Sequence, residues 1–476
     1  MKKISITLFL ILSVYFSGFS QNCLPEGIFF HTQSQIDSFP VIYPNCTEIE
    51  GDVTIHGDDI TNLDGLESIT KIKGYLLIGY SNDNNPLLHD LSGLSNLTLV
   101  GGNLELIHND SLTNLIGLNK LQTIGGDFSL WHNNAMVSLE GLNTVSYIGG
   151  SFRVWYCNSL ESIANLDNLS YIGNYIDISL NGSIKNISGF AKITEVQGKL
   201  WIRDPSLKNL MGLRNLTRVS DELRIQQCNS LKNFAGLENL RILEDELVIL
   251  QNDSLLSFLE LSNIKNVQGD VHVRDNASLK NLWGFKNLRS IGGFLDIEFN
   301  DSLKNLLGLE NLTRIGGTLM IYGHKSLTSV DGINNIDPSS ITNLIMYNND
   351  SLEYCSVKSI CEYIANPTGE TKIKLNSFKC NSIAEVALYC LSGDEENNIK
   401  DHISIFPNPT NSGNIHILKN TGYNVKQIKI YNQFCQEVLS MEESKSILNI
   451  SFLTPGLYII EITGNNWVSR KKLIVN

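Results

Sequence analysis

The chain has 476 residues, 42% of them apolar, and carries 36 Lys and Arg against 49 Asp and Glu, a formal charge of -13. That length is ample for a core. The acidity argues against nonspecific nucleic-acid binding and for a soluble, extracellular-type surface.

Residues 1–20 read as a secretory signal. Lys2 and Lys3 form the basic start, Ile4 to Phe16 the apolar run, and Gly18 and Ser20 the small residues before a cut that leaves Gln21 first. The run is too short for a membrane anchor and no basic stop follows, so the mature chain is expected to lack a transmembrane segment. Cys23 follows Gln21-Asn22, not the small residues of a lipoprotein signal. Export permits disulfides. Cys23 and Cys46 flank an N-terminal cap, residues 21–50, and are expected to pair across it.

Residues 51–350 are built from one returning unit, clearest in GGFLDIEFNDSLKNLLGLENLTRI from Gly292 to Ile315. A Gly-apolar step, most often Gly-Leu, falls at Gly65, Gly93, Gly117, Gly141, Gly189, Gly212, Gly236, Gly284, Gly308 and Gly332, with Asn165-Leu166 and Glu260-Leu261 filling the gaps. Nearly every spacing is 24 residues; one is 23 and the first is 28. A fixed period of this size predicts a solenoid, in which each unit buries its apolar side only by stacking on the next. Each unit opens with a short alternating strand such as Leu104-Glu105-Leu106. An Asn follows at 109, 133, 252, 276, 300 and 349, suited to bonding the backbone of a stacked turn. Ser-Leu-x-x-Leu and Leu-x-x-Ile segments come next, and Gly-Gly closes the coil at 101, 125, 149, 292 and 316. One coil sends seven apolar side chains inward: Leu104, Leu106, Leu112, Leu115, Leu118, Leu121 and Ile124. No regular helix is expected within these coils.

The stretch NCTEIEGDVTIHG, then LESITKIKGYLLIG, then LSGLSNLTLVGGNLELI, resembles the receptor L domain. Cys46 before the first strand and the I-x-G-x-L-x-I rhythm carry the resemblance, which covers roughly residues 45–350. It implies an all-β fold, a right-handed parallel β-helix of leucine-rich 24-residue coils. Members of that family bind proteins or glycans or serve as structure, so the resemblance implies a broad class only. This chain also has many more rungs than one such domain.

Cys157 and Cys228 fall in the Asn column. They lie three rungs apart, roughly 14 Å at the usual strand spacing and beyond the ~7 Å reach of a disulfide, and read as buried structural thiols. Residues 351–391 form a disulfide-rich C-terminal cap with two short helices around a strand at Ile373-Lys374-Leu375. Ser382 and Glu385 have capping-box spacing for the second helix. Cys355, Cys361, Cys380 and Cys390 allow three connectivities, all open at this stage.

Residues 392–402 are a polar, acidic linker. Residues 403–476 form a small β-sandwich, with strands near Ile403–Phe406, Asn414–Leu418, Val425–Tyr431, Ile447–Phe452, Gly456–Thr463 and Val468–Val475. This tail resembles the C-terminal sorting domain of the type IX secretion system of Bacteroidota, through Phe406-Pro407-Asn408-Pro409-Thr410, Leu453-Thr454-Pro455-Gly456-Leu457-Tyr458 and the closing Arg470-Lys471-Lys472-Leu473-Ile474-Val475. Cys435 departs from the family's usual Gly. The resemblance implies engagement of the secretion machinery through residues 403–476, passage across the outer membrane, removal of the tail, and release or surface attachment.

No catalytic motif stands out, and no cofactor or metal site is expected. His108 and His132 stack on adjacent rungs but have no clear third ligand, and read as exposed loop histidines. Asn-x-Ser/Thr sites such as Asn96, Asn215 and Asn311 follow from the repeat. Asp-Ser-Leu at Asp110, Asp253, Asp301 and Asp350 matches an O-glycosylation signal and equally a polar turn. The outward strand positions stack into two columns. One reads Glu105, Ser129, Arg153, Asp177, Trp201, Arg224, Val248, His272, Asp296, Met320. The other reads Ile107, Trp131, Trp155, Ser179, Arg203, Gln226, Leu250, Arg274, Glu298, Tyr322, Tyr347. Trp, Tyr and Arg dominate binding hot spots. The candidate ligand-binding residues are therefore Trp131, Arg153, Trp155, Trp201, Arg203 and Arg224. They point to a secreted or cell-surface, non-enzymatic adhesion protein that takes a glycan or protein ligand. A structural surface-layer protein is the alternative, and a polysaccharide-active β-helix enzyme stands third.

Overall fold

A computed structural model describes residues 21–80, 85–392, 403–410, 413–419, 425–432, 436–442, 447–464 and 468–476. The signal segment, the linker residues 393–402 and Cys435 lie outside the described residues.

The repeat folds as stacked coils. Their main strands form one parallel sheet of fifteen, from Ile28–Phe30 through Leu104–Ile107, Phe128–Trp131, Phe152–Trp155 and Leu200–Arg203 to Leu344–Tyr347 and Thr371–Lys374. Register is strict: Phe128 pairs with Phe152 and Trp131 with Trp155. Strands at the usual ~4.8 Å spacing make this sheet about 65 Å long. The Leu-x-x-Ile segments form a second wall of short parallel strands, two residues long from Lys71–Ile72 onward, seven from Gln21–Cys23 to Tyr171–Ile172 and six from Glu195–Val196 to Arg314–Ile315.

Between the walls lies one continuous apolar core, and all seven predicted inward residues of the coil at 104–124 are fully buried. The Gly-apolar step takes two forms. At Ser92–Leu94, Met211–Leu213 and Trp283–Phe285 it is a single 3₁₀ turn. At Gly117, Gly141, Gly236 and Gly308 the glycine has φ of 113–117°, a conformation that excludes a β-carbon. The paired corner glycines are needed for a different reason. A β-carbon on Gly125 would lie 2.0 Å from the Gly101 carbonyl oxygen of the preceding coil.

The solenoid sheet is longer than residues 51–350. The predicted N-terminal cap contributes its first strand, Ile28–Phe30, and the C-terminal cap its last, Thr371–Lys374. Each cap thus bonds the exposed sheet edge as well as covering the core. The N-terminal cap also holds a helix, Gln33–Ile42, that the sequence reading did not anticipate. Thr32 and Gln35 form its capping box. Cys23 pairs with Cys46 as expected. At the other end Cys355 pairs with Cys380 and Cys361 with Cys390, so two bridges clamp the helices Lys358–Ala365 and Ile383–Ser392.

The strands of the tail pair antiparallel, with one parallel bridge between Thr410 and Val475. One sheet holds Ile403–Phe406, Asn414–Lys419 and Ile447–Asn449. The other holds Glu437–Met441, Val425–Asn432, Gly456–Gly464 and Val468–Val475. The strand at 437–441 was not predicted, because its exposed face breaks the apolar alternation. Ile415, Ile428, Ile460 and Leu473 lie in its separate core.

Candidate ligand-binding faces

Behind the end of each main strand a polar spine runs the length of the solenoid. Asn85, Asn109, Asn133, Asn181, Asn252, Asn276, Asn300, Asn349 and Asn376 are nearly or wholly buried in it. Each amide nitrogen donates to a strand carbonyl of the earlier coil, and each amide oxygen accepts the backbone N–H of the spine position one coil earlier, except at Asn109, whose oxygen accepts the Asn85 side-chain amide. Asn252 accepts from Cys228 N–H at 3.0 Å and donates to the Ile225 oxygen at 2.9 Å. Cys157 and Cys228 occupy spine positions as free, buried thiols, and burial pushes both pKa values up to about 12.

Two further members carried no Asn signal. His324 is buried; its Nδ1 accepts from Asn300 N–H at 3.1 Å and its Nε2 donates to the Ile297 oxygen at 3.0 Å. A neutral imidazole offers one acceptor and one donor, which reproduces an amide. Burial holds its pKa down at about 4. Asp204 accepts from Gly182 N–H at 2.9 Å and Ser206 N–H at 3.1 Å, yet burial outweighs those bonds and lifts its pKa to about 6.

The residue before the spine position reverses the chain in a left-handed conformation. His108, His132, Tyr156, Leu180, Gln227, Gln251, Asp275 and Phe299 all have φ of 50–63°. Such residues strain a non-glycine backbone by about 1 kcal/mol or more, and here the flanking spine bonds hold them. Their side chains stack at the outer corner. The His108 and His132 rings stack 4.7 Å apart and those of His132 and Tyr156 4.6 Å apart, with their planes nearly parallel. The two histidines are thus joined by an aromatic stack. Among the described residues no group of three or more His, Cys, Asp or Glu side chains is placed to hold a metal.

The six predicted site residues all lie on the outer face of the long sheet, but not as free side chains. Trp131, Trp155 and Trp201 are half-buried. Two clusters organise Trp155 and Trp201; Trp131 belongs to neither, lies 5.5 Å from the His132 ring centre, and has a buried indole N–H without a hydrogen-bond partner among the described residues. Arg153 pairs with Asp127 and lies 5.8 Å from the Trp155 ring centre and 5.9 Å from that of Tyr175. Trp201 donates its indole N–H to Glu222 at 2.8 Å and is flanked by the Lys199 ammonium at 4.9 Å and the Arg224 guanidinium at 5.8 Å; Arg224 also pairs with Glu222. Arg203 bonds Gln227 through Nε at the corner, away from both clusters. Asp177, Val248 and Asp296, read as outward, are almost fully buried because their taller column neighbours cover them.

The same face holds acids that the sequence reading did not gather. His272 lies 3.3 Å from Glu246 and 3.0 Å from Asp296, which also pairs with Arg274. Burial lowers the His272 pKa and raises those of Glu246 and Glu298. The signal was present, because Glu222 and Glu246 recur 24 residues apart just before successive strands.

A groove lies beside this sheet at the corner. It has a volume of about 750 Å3 and runs between the left-handed residues and those after the spine, from Tyr156 past Arg203 to Asp275. A second hollow of about 380 Å3 continues it from Asp253 to Asp350. Neither is lined by Trp131, Trp155 or Trp201.

Fold and face together define a parallel β-solenoid with a broad, side-chain-rich sheet and an antiparallel tail. The tail gives the address. Residues 404–476 match the family model of the secretion system C-terminal sorting domain. The protein therefore carries a type IX secretion sorting domain and is exported to the cell surface or the extracellular space. The family's motifs are knitted to one another in space. Asn408 accepts from Ile474 N–H at 2.9 Å, Thr410 N–H donates to the Ile474 oxygen at 2.9 Å, and the Tyr458 hydroxyl donates to the Thr454 oxygen at 2.9 Å. No curated protein matches the chain. No helix among the described residues is long and apolar enough to cross a membrane.

Proposed function

We propose that this is a non-enzymatic binding or adhesion protein, displayed outside the cell on a leucine-rich, receptor L domain-like solenoid. Its ligand, a protein or a glycan, docks on the outer face of the long sheet between Trp131 and Arg224. One observation carries this reading: the Trp155 and Trp201 rings are already fixed by cation–π and hydrogen-bond partners on a regular sheet. Rings held in place lose little freedom on binding, and buried aromatic and Arg anchors supply most of an interface's energy. Neither corner hollow reaches the tryptophans, which favours a protein partner with a matching surface. Residues 403–476 serve export and take no part in the docking.

The test is a pull-down and glycan-array screen with the mature protein, repeated with Trp131, Trp155 and Trp201 all replaced by Ala. Saturable binding by the parent and its loss in a triple variant of unchanged circular dichroism supports the reading. Unchanged affinity in that variant places the ligand elsewhere. Absence of any ligand favours the structural surface-layer role, and cleavage of an array polysaccharide favours an enzyme built around Glu246 and Glu298.

A further inference from the structure

The corner groove has a cause in the sequence, and the cause points to a ligand. Each coil from Leu104 onward places a main strand, one left-handed residue and then the spine residue: Ile107-His108-Asn109, Gln226-Gln227-Cys228. The coil of strand Leu200–Arg203 omits the middle one, and Arg203 runs directly into Asp204. This is the single 23-residue spacing in the repeat. The missing residue removes one side chain from the corner column, between Leu180 and Gln227. The adjoining column is low at the same level, with Gly182 and Pro205 where Asn158 and Asn229 stand on either side. The groove of about 750 Å3 sits over this gap. Its size falls within the roughly 300–1,000 Å3 of small-ligand clefts.

The walls differ in chemistry along its length. At one end is Tyr156. His132 covers one face of its ring, yet Tyr156 remains 38% exposed and lines the groove. Leu180 and Pro205 continue this apolar side. Facing them is a row of planar polar groups: Arg203 donates to Gln227, and Gln227 donates to Gln251 at 2.9 Å. Asp253 and Asp275 close the far end. Burial raises the Asp275 pKa against the opposing pull of the Arg274 guanidinium, with Asp253 and Asp301 adding to the rise, and the two carboxylates that line this end repel a further anion.

We propose that this groove is a second binding site, for a short, neutral, hydroxyl-rich oligosaccharide. A pyranose has an apolar C–H face and a rim of hydroxyl groups. The face stacks on Tyr156 and its apolar neighbours, while the amides and carboxylates bond the rim. The acidic end rejects polyuronates. The site does not depend on the tryptophan face, and the two fail separately.

The mature protein is titrated calorimetrically with cellotetraose, maltotetraose, mannotetraose and chitotetraose, and with tetragalacturonate as the charged comparator. At least one neutral tetrasaccharide binds saturably and tetragalacturonate does not. Tyr156→Ala weakens that binding by about tenfold or more. Insertion of one glutamine between Arg203 and Asp204, matching Gln227 of the next coil, restores the 24-residue coil, fills the gap with a side chain and abolishes binding. The variant lacking Trp131, Trp155 and Trp201 binds as the parent does. The proposal is overturned if no neutral sugar of the panel binds, if tetragalacturonate binds as well, or if affinity survives Tyr156→Ala. Loss in the tryptophan variant alone moves the sugar to the sheet face, overturning the groove site and leaving the sheet-face reading standing. Should the insertion disturb the fold, Tyr156→Ala decides.

Discussion

Replacing Asn252 by Ala tests whether the polar spine holds the coils in register. Asn252 is fully buried. Its oxygen accepts the Cys228 N–H, and its nitrogen donates to the Ile225 oxygen and, at 3.1 Å, to the Asn276 side chain. Alanine leaves the Cys228 N–H buried and unpaired and removes one of the two bonds to the Ile225 carbonyl, which keeps its partner in the strand ladder. The stranded N–H alone costs about 1–3 kcal/mol. In a solenoid that loss stays near the altered coil. Hydrogen exchange is therefore a better measure than a global melt. A loss of about 2 kcal/mol accelerates exchange of the Cys228 amide about thirtyfold where local opening controls it. Protection in coils four or more rungs away should be unchanged. Asn252→Cys should cost less, because a thiol at this position is tolerated at 157 and 228. Exchange at Cys228 altered by less than about threefold would refute the reasoning, since a buried N–H cannot lose its acceptor so cheaply.

His324→Asn should remove an acid sensitivity. The folded pKa, near 4, lies below the ordinary 6.5, so the stability tied to neutral His324 is complete above pH 6.5 and is lost as pH falls towards 4. Denaturant titrations at pH 7.5 and pH 4 should show the variant gaining on the parent by about 3 kcal/mol at the lower pH; an equal difference at both excludes this cause. Cys157 and Cys228, with pKa values near 12, should resist iodoacetamide at pH 8 in the native protein and react only after unfolding, as read by peptide mass spectrometry. Deleting residues 403–476 should leave a folded solenoid trapped in the periplasm of the native host, as read by fractionation; normal surface display of the truncated chain contradicts the tail's sorting role.

The sequence by itself determined the repeat, because burial inside a solenoid needs the same apolar positions in every coil. Leu104, Leu106, Leu112 and their successors declare the core, and the glycine steps declare the corners. The Cys23–Cys46 bridge and the tail were legible from position and motif. The C-terminal pairing was not, since spacing leaves three connectivities open and only the helix placement selects one. The left-handed corner residues were also invisible. His, Tyr, Leu, Gln, Asp and Phe have no common propensity for that conformation; hydrogen bonds between successive coils impose it. For the same reason Asp204 and His324 could not be recognised as spine members, because what the site selects is one acceptor at a fixed point and not a residue type. Alternation correctly gave the direction in which Trp131, Trp155 and Trp201 point, but their half-burial and ionic partners depend on the height of side chains in adjacent coils. The missing residue before Asp204 was visible as a 23-residue interval. That it opens a groove follows only once neighbouring coils, which keep the residue, stand on both sides of the gap.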